Sequence, residues 1–493
     1  MDSSLIKTGR ILLIGNIAGN SYNLAKGLRR RGYEVDCFSN EYSYHIGSPE
    51  WESADFSAEV SPINQDWSKI DTGGFVRPPW FFEYYHGSSR EDVRPAPQPL
   101  MLDPCYARHP LGYTQQYGLT GIQSDIRRYG RLAGRLGRRA IGKGAQLFRT
   151  ILKTKPGITE QLIRFYEDKA LAAGFQEPLT SYDFDFFASK CHYANLFDQY
   201  DLVQAAGLWE PGYLSSFSPS RPFVVFEHGT LRDIYDRSSP ANRLYVLACY
   251  LAGQIVVTNA DGMPIADRMG LAEKAVFIPH PVDDTIFYPT PQPELRRELL
   301  AKTSSEFLIY APSRHDWAEK GNDLFLKGLA LARRRGIPAG AVMCRWGNEI
   351  ERSCALIREL NLDAHVTWIA AAPKPRVARH LNASDVLVDQ FFYPAFGTVA
   401  AEGLACGKPV VMKFHAEMHR RVFNPLPPII DATSPEQVAE VLVGLHSNSD
   451  TTRTIGEQSA QWFREHHSLE LVMNRHLEVW RRAKTCPRSF VPL

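Results

Sequence analysis

Residues 385–412 read DVLVDQFFYPAFGTVAAEGLACGKPVVM. An apolar strand at 386–388 runs into a tight Phe396-Gly397-Thr398 turn, and the helix that follows carries one acidic residue, Glu402. Gly407-Lys408-Pro409 stops that helix before a second apolar strand at 410–412. Backbone N–H groups at a helix start take a phosphate. Glu402, about one turn further in, lies within reach of a ribose. A β-α-β unit built this way suits a nucleotide that carries a sugar; a plain strand-to-helix turn is the alternative.

Three other segments follow apolar runs and carry polar groups. Residues 15–20, GNIAGN, hold Gly15 and Gly19; glycines there allow close approach to a ligand or simply a sharp turn, and the spacing is not GxGxxG. Phe226-Glu227-His228-Gly229 ends a strand with an imidazole, either at a cleft or in a structural role. In Ser313 to Gly321, SRHDWAEKG, Arg314 ends a strand and Lys320 opens a helix. A guanidinium fork and an ammonium converging there suit a diphosphate; pairing with Asp316 and Glu319 is the other reading.

These residues need strands to end beside them. A strand at 10–15, a helix at 21–31 and a strand at 34–39 make a β-α-β start. Regularity is lost over about 40–200, where aromatic and proline residues are frequent from 51 to 113 and a basic run follows. Strands are expected again at 201–206, 223–226, 255–258 and 275–278, with helices at 242–252 and 263–269. Residues 279–289, PHPVDDTIFYP, read as the linker. A second alternation has strands at 307–311, 341–345, 366–369, 385–388 and 409–412, with helices such as 322–335 and 350–360. Strands separated by helices of this length predict parallel sheets covered on both faces. The fold class expected is α/β, with two Rossmann-like domains facing a cleft and a long insertion in the N-terminal one. Ligands in such sheets bind beyond the carboxyl ends of the strands.

The chain has 493 residues, a formal charge of +2 and 44% hydrophobic residues, the profile of an ordinary globular protein of two or three domains. Net charge gives no sign of nucleic-acid binding. Eight scattered cysteines show no CxxC pair or zinc spacing and read as reduced, buried thiols. No metal site and no cofactor are expected. The apolar run at 11–14 is too short for a signal peptide, and no run reaches the ~18 residues of a membrane span. A cytoplasmic location is the expectation.

Together the four segments resemble the retaining GT-B glycosyltransferases of family 4 (group 1), patchily over the first 200 residues and well from about 222 to 411. Ile278-Pro279-His280-Pro281-Val282-Asp283, with Phe287 and Pro289, is similar to that family's interdomain signature, with His280 and Pro281 in place of Asn and Gly. Arg314 and Lys320-Gly321 resemble the pair that grips the donor diphosphate. Phe396-Gly397, Glu402 and 405–410 resemble the second half of the E-x7-E motif, whose first Glu falls here on Pro394; Asp389, Gln390 and Tyr393 are candidate substitutes. The resemblance implies that Glu402 holds the ribose hydroxyls and the amides of Gly397 and Thr398 the phosphates. It implies that His228 lies near the donor sugar and acceptor, orienting them. His228, Arg314 and Lys320 are thus the expected catalytic residues. Gly15, Gly19, Phe396, Gly397, Thr398 and Glu402 are the expected donor-binding ones.

The domains implied are 1–285 for the acceptor, 286–465 for the nucleotide sugar, and a helical segment at 466–493 packing back on the first. The activity implied is metal-independent transfer from a nucleotide-diphosphate sugar to a glycan or lipid-linked acceptor, as in surface polysaccharide or glycolipid synthesis. A nucleotide-sugar epimerase on the same fold, or a binding scaffold without turnover, are the alternatives. Residues 126–155 hold ten Lys or Arg and no acidic residue, with apolar residues recurring at three or four positions. Such an amphipathic basic helix lies on an anionic membrane face, packs its apolar stripe on the first domain, or lines a groove for an acidic glycan. The aromatic run at 75–85 lines an acceptor site or fills the core.

Overall fold

The computed structural model describes residues 9–40, 46–60, 65–84, 158–186, 197, 199–206, 222–236 and 239–485. The basic segment at 126–155 lies outside the described residues.

Two parallel sheets form the frame. The first contains β1 Ile11–Ile14, β2 Val35–Asn40, β3 Phe81–Tyr84, β4 Leu202–Ala206, β5 Phe223–Glu227, β6 Gln254–Val257 and β7 Ala275–Phe277, in the order β3-β2-β1-β4-β5-β6-β7. The second contains β8 Phe307–Ala311, β9 Ala339–Cys344, β10 Val366–Ile369, β11 Val386–Val388, β12 Val410–Met412 and β13 Ile429–Asp431, in the order β10-β9-β8-β11-β12-β13. Every strand pairing is parallel, for example Ile11 beside both Val35 and Leu202. The central strands are mostly apolar because helices bury both faces: every residue of β1, β4, β5, β8 and β9 is buried, including Gln204 within β4 and Glu227 at the end of β5. Strand order reverses between β1 and β4 and between β8 and β11. Crevices open at such points beyond the strand ends.

Two edge strands depart from the sequence reading. The aromatic run at 75–85 is not only lining or filler: it contains β3, paired with β2 through Cys37 and Phe81. β13 follows a proline-rich stretch and pairs with β12. The irregular insertion also contains a short helix, Pro49–Ser53, whose N-cap Ser48 accepts from the Trp51 amide. Around it Trp51, Phe56 and Trp67 form a small core that also touches Ala371 of the second domain.

The chain passes between domains at 278–289. Asp283 there is buried and bonds Lys26 at 2.6 Å, fixing the linker to the helix Asn20–Arg30. Burial alone would raise its carboxyl; Lys26 and the Thr285 bonds outweigh that and hold it low. The chain returns before Leu469–Thr485, a helix that packs on Asn20–Arg30 and β6. His467 joins the two passages by a 2.8 Å contact from Nε2 to the His280 carbonyl. Among the described residues, no helix is long and apolar enough to cross a membrane, and Cys249, Cys344, Cys354 and Cys406 form no disulfide.

Candidate functional site

The expected residues all lie at the carboxyl ends of strands. Gly15 follows β1, His228 follows β5, Arg314 and Lys320 follow β8, and 396–402 follow β11. Strand ends beside a switch point are where ligands bind in open parallel sheets.

Gly15 and Gly19 both have positive φ, 81° and 74°, a conformation that costs other residues strain. Close approach explains Gly19 further. A Cβ there would stand 2.4 Å from the carboxyl carbon of Glu52. The direction a side chain would take is thus filled by a carboxylate of the same chain, carried on the Pro49–Ser53 helix. Asn16 supports the turn by accepting the Tyr22 amide at 2.8 Å and by donating to the Gly47 carbonyl.

His228 bonds Asn20 Nδ2 through Nδ1 at 3.2 Å, and its ring stacks on that of His280 with centroids 5.9 Å apart. Burial, with His280 and His476 adding, pushes its pKa well below 6.5. The ring is neutral. With Nδ1 accepting from Asn20, Nε2 carries the proton, and this sealed nitrogen has no partner among the described residues. It keeps one N–H that is not given to another described residue.

Arg314 and Lys320 differ in state. Arg314, with its side chain 40% exposed, pairs with Glu319 and lies 3.5 Å from Asp316. Lys320 has no ion pair among the described residues; it donates to Gln390 Oε1. Burial lowers its pKa, opposed by Asp389. Gln390 also donates to the Ala395 carbonyl at 2.7 Å, so it holds the 390–395 loop as well as Lys320. Asp389 accepts from Ser313 at 2.6 Å, and Tyr393 is 44% exposed. Of the three candidate substitutes for Pro394, only Asp389 carries a charge.

Phe396 is buried against Phe423, Trp462 and His467. That anchor fixes the start of the helix Thr398–Ala405. Gly397 caps it with φ −93°, and nothing lies within 4 Å of where its Cβ would be. The helix start therefore faces open space, as an anion site requires.

Glu402, 1% exposed, sits in the second turn. Its Oε1 pairs with Lys374, and its Oε2 has no partner among the described residues. Burial pushes its carboxyl up to about 7, with Lys374 pulling the other way. Burial would lower the Lys374 ammonium; Glu402 and Glu52 outweigh that and keep it charged. Glu52 is likewise raised by burial, with Asn23 bonded to its Oε2 at 2.8 Å.

Lys374, Glu52, Asn20 and Asn23 escaped the sequence reading. Asn20 and Asn23, three apart at the start of the helix Asn20–Arg30, were a usable signal for one helix face. Lys374 stands between two prolines at a helix start, which marked a boundary but not a partner. Glu52 gave no signal within its irregular insertion.

Residues 291–462 match the family model described as Glycosyl transferases group 1. Curated relatives include D-inositol 3-phosphate glycosyltransferases. The one from Arthrobacter sp. (strain FB24) is 27% identical over 187 residues, 37% of this chain and 44% of that protein. The one from Pseudarthrobacter chlorophenolicus is 26% identical over 175 residues, 34% and 41% respectively. The chain thus spans less than half the length of these relatives. Among solved structures, sucrose-phosphate synthase from Thermosynechococcus elongatus superposes with a TM-score of 0.54 at 14% identity, over 96% of this chain and 98% of that one. A glycosyltransferase from Rickettsia africae gives 0.54 at 14%, over 97% and 100%. HepE of Anabaena, solved in complex with UDP and glucose, gives 0.52 at 19%, over 66% and 96%. The chain therefore has the GT-B fold, and its second domain carries the stretch that matches the Glycosyl transferases group 1 model.

Proposed function

We propose that this chain is a retaining, metal-independent glycosyltransferase that moves a sugar from a nucleoside-diphosphate sugar to a glycan or lipid-linked hydroxyl, in surface polysaccharide or glycolipid synthesis. One observation carries the reading. Beyond the adjacent strands β8 and β11 lie an ammonium with no ion-pair partner among the described residues, a helix start with open space before it, and a buried carboxylate with one oxygen unpartnered among the described residues. These are the complements of a diphosphate and a ribose.

In this reading the amides of Gly397 and Thr398 take the phosphates and Glu402 takes ribose hydroxyls. Lys320 and Arg314 neutralise the charge that grows on the diphosphate as its bond to the sugar carbon breaks. The acceptor oxygen bonds to that carbon, and its proton leaves with the diphosphate. His228 is neutral and offers one N–H; it orients donor and acceptor and is not the nucleophile.

HepE binds UDP and glucose, so UDP-glucose heads the donor screen. Nucleotide release is followed for uridine, guanosine and adenosine diphosphate sugars, with and without D-inositol 3-phosphate or a membrane lipid extract, in EDTA. Acceptor-dependent release that survives EDTA is expected. A new sugar nucleotide formed without acceptor would point to an epimerase. Tight nucleotide binding with no transfer would point to a scaffold. Loss in EDTA with rescue by Mg²⁺ would overturn metal independence. Glu402→Ala should weaken calorimetric binding of the matching nucleoside diphosphate by about tenfold, the scale of one lost hydrogen bond to a charged group.

A further inference from the structure

Resting on the nucleotide reading above, we infer that Glu52 is a second ribose-binding carboxylate, supplied by the N-terminal domain, and that Lys374 positions it together with Glu402.

The two carboxylates face one cation. Lys374 bonds Glu402 Oε1 and is also held charged through space by Glu52. Glu52 and Glu402 are 2% and 1% exposed, and each keeps one sealed oxygen, Glu52 Oε1 and Glu402 Oε2, with no hydrogen-bond partner among the described residues. With Lys374 bonded to Glu402 Oε1 and Asn23 to Glu52 Oε2, one oxygen on each of the two buried carboxyl groups is left unanswered. Burial without partners is costly, so the arrangement is one that a ligand completes.

The ligand's chemistry follows from what is missing. Both unanswered atoms are acceptors, so the ligand supplies hydrogen-bond donors. A phosphate would meet two carboxylates and is repelled. A metal ion would meet the Lys374 ammonium, and no group of three or more metal-binding side chains occurs among the described residues. A vicinal diol supplies two O–H donors with no charge. The ribose that Glu402 receives in the proposed reaction is such a diol.

Glu52 is also held as a binding group is held. Its Oε2 is fixed by Asn23 at 2.8 Å. Its helix is anchored on one side by Glu50 paired with Arg77 at 2.6 Å. On the other side Asp55 bonds Arg376 at 2.9 Å and Arg379 at 2.7 Å, both on the helix that Lys374 opens. The insertion thus carries Glu52 from the first domain and sets it in register with the second.

The test compares ribonucleoside with 2′,3′-dideoxynucleoside diphosphates (uridine, guanosine and adenosine) by calorimetry on the full chain. If no ribonucleoside diphosphate binds the unaltered protein, the nucleotide reading fails and takes this inference with it. If one binds, its preference over the dideoxy form should fall about tenfold in Glu52→Gln, the scale of losing a charge-assisted hydrogen bond. Affinity for the dideoxy form itself should change less than about twofold. Glu52→Asp, which withdraws the carboxylate, should act in the same direction and serves if Glu52→Gln does not fold. Lys374→Met should lower the same preference, and Lys374→Arg should restore much of it. An unchanged preference in a Glu52 variant whose thermal midpoint matches the unaltered protein would overturn the inference while leaving the nucleotide reading intact.

Discussion

Arg314 and Lys320 reach the cleft in different electrostatic states, and their variants should differ accordingly. Lys320 is desolvated and leans on a neutral amide, so it can meet a diphosphate without giving up an ion pair. Arg314 must first exchange Glu319 for the ligand. Lys320→Ala should lower kcat by about 10²-fold, the cost of removing a fixed transition-state charge. Arg314→Ala should lose less, and Glu319→Gln should lower the donor KM by freeing the guanidinium. Steady-state nucleotide release with each variant checks the three together; equal losses for Lys320→Ala and Arg314→Ala would refute the distinction. Residues whose partners are near in sequence were legible. Phe396, Gly397 and Glu402 share one turn and helix, so spacing alone groups them. Asp55 and Arg376 meet across 321 residues, and no local pattern marks such a pair. Lys374 and Glu52 escaped for the same reason: long-range charge pairing leaves no periodicity.

Two glycines at the starts of helices illustrate what element geometry demands. Gly19 has φ +74° and lies against the Glu52 carboxyl group, whereas Gly397 has φ −93° and open space around it. Gly19→Ala must bear left-handed strain and push Glu52 aside, so chemical denaturation should report a loss of about 1–3 kcal/mol. Gly397→Ala should leave stability nearly unchanged but weaken nucleoside diphosphate binding, because the added methyl occupies the space before the helix amides. A Gly19→Ala variant as stable as the unaltered protein would remove the close-packing explanation. Apolar runs bounded by helices made the central strands legible, since parallel strands buried on both faces leave that pattern. Phe81–Tyr84 and Ile429–Asp431 were not legible because both are short edge strands beside prolines. Their pairing depends on a single neighbour. The Pro49–Ser53 helix is five residues long and lies in an insertion without repeat, too short for a helical period to show.

At the scale of the whole molecule, the two passages between domains meet on buried histidines. His280 lies on the first passage and His467 on the second, and His476 follows on the returning helix. Burial pushes His280 and His476 down to about 3 and His467 to about 4, so all three are neutral in the folded protein near neutral pH. In the unfolded chain each titrates near 6.5. Above that value neither state holds the proton and the rings add no pH dependence. Below it the unfolded state binds more protons, so stability falls as pH drops toward the folded values. Glu402, raised to about 7, acts in the opposite sense: its stabilising share is present below the unfolded carboxyl value and fades as pH rises toward 7. The opposing signs make a bare pH profile ambiguous, and a single substitution separates them. His476 is fully buried between Phe226 and Trp480, and neither ring nitrogen has a partner among the described residues. His476→Leu removes both unpaired polar atoms, so it should be at least as stable as the unaltered protein at pH 8. At pH 5 the unaltered protein loses in addition about 2 kcal/mol through this one ring, which the variant cannot lose. The difference in unfolding free energy between the two proteins should therefore widen by about that amount from pH 8 to pH 5. Urea denaturation at the two values measures it directly, with every other titrating group common to both proteins. A gap that stays constant would mean that the ring takes up its proton within the fold, and that the returning helix is not sealed on the first domain.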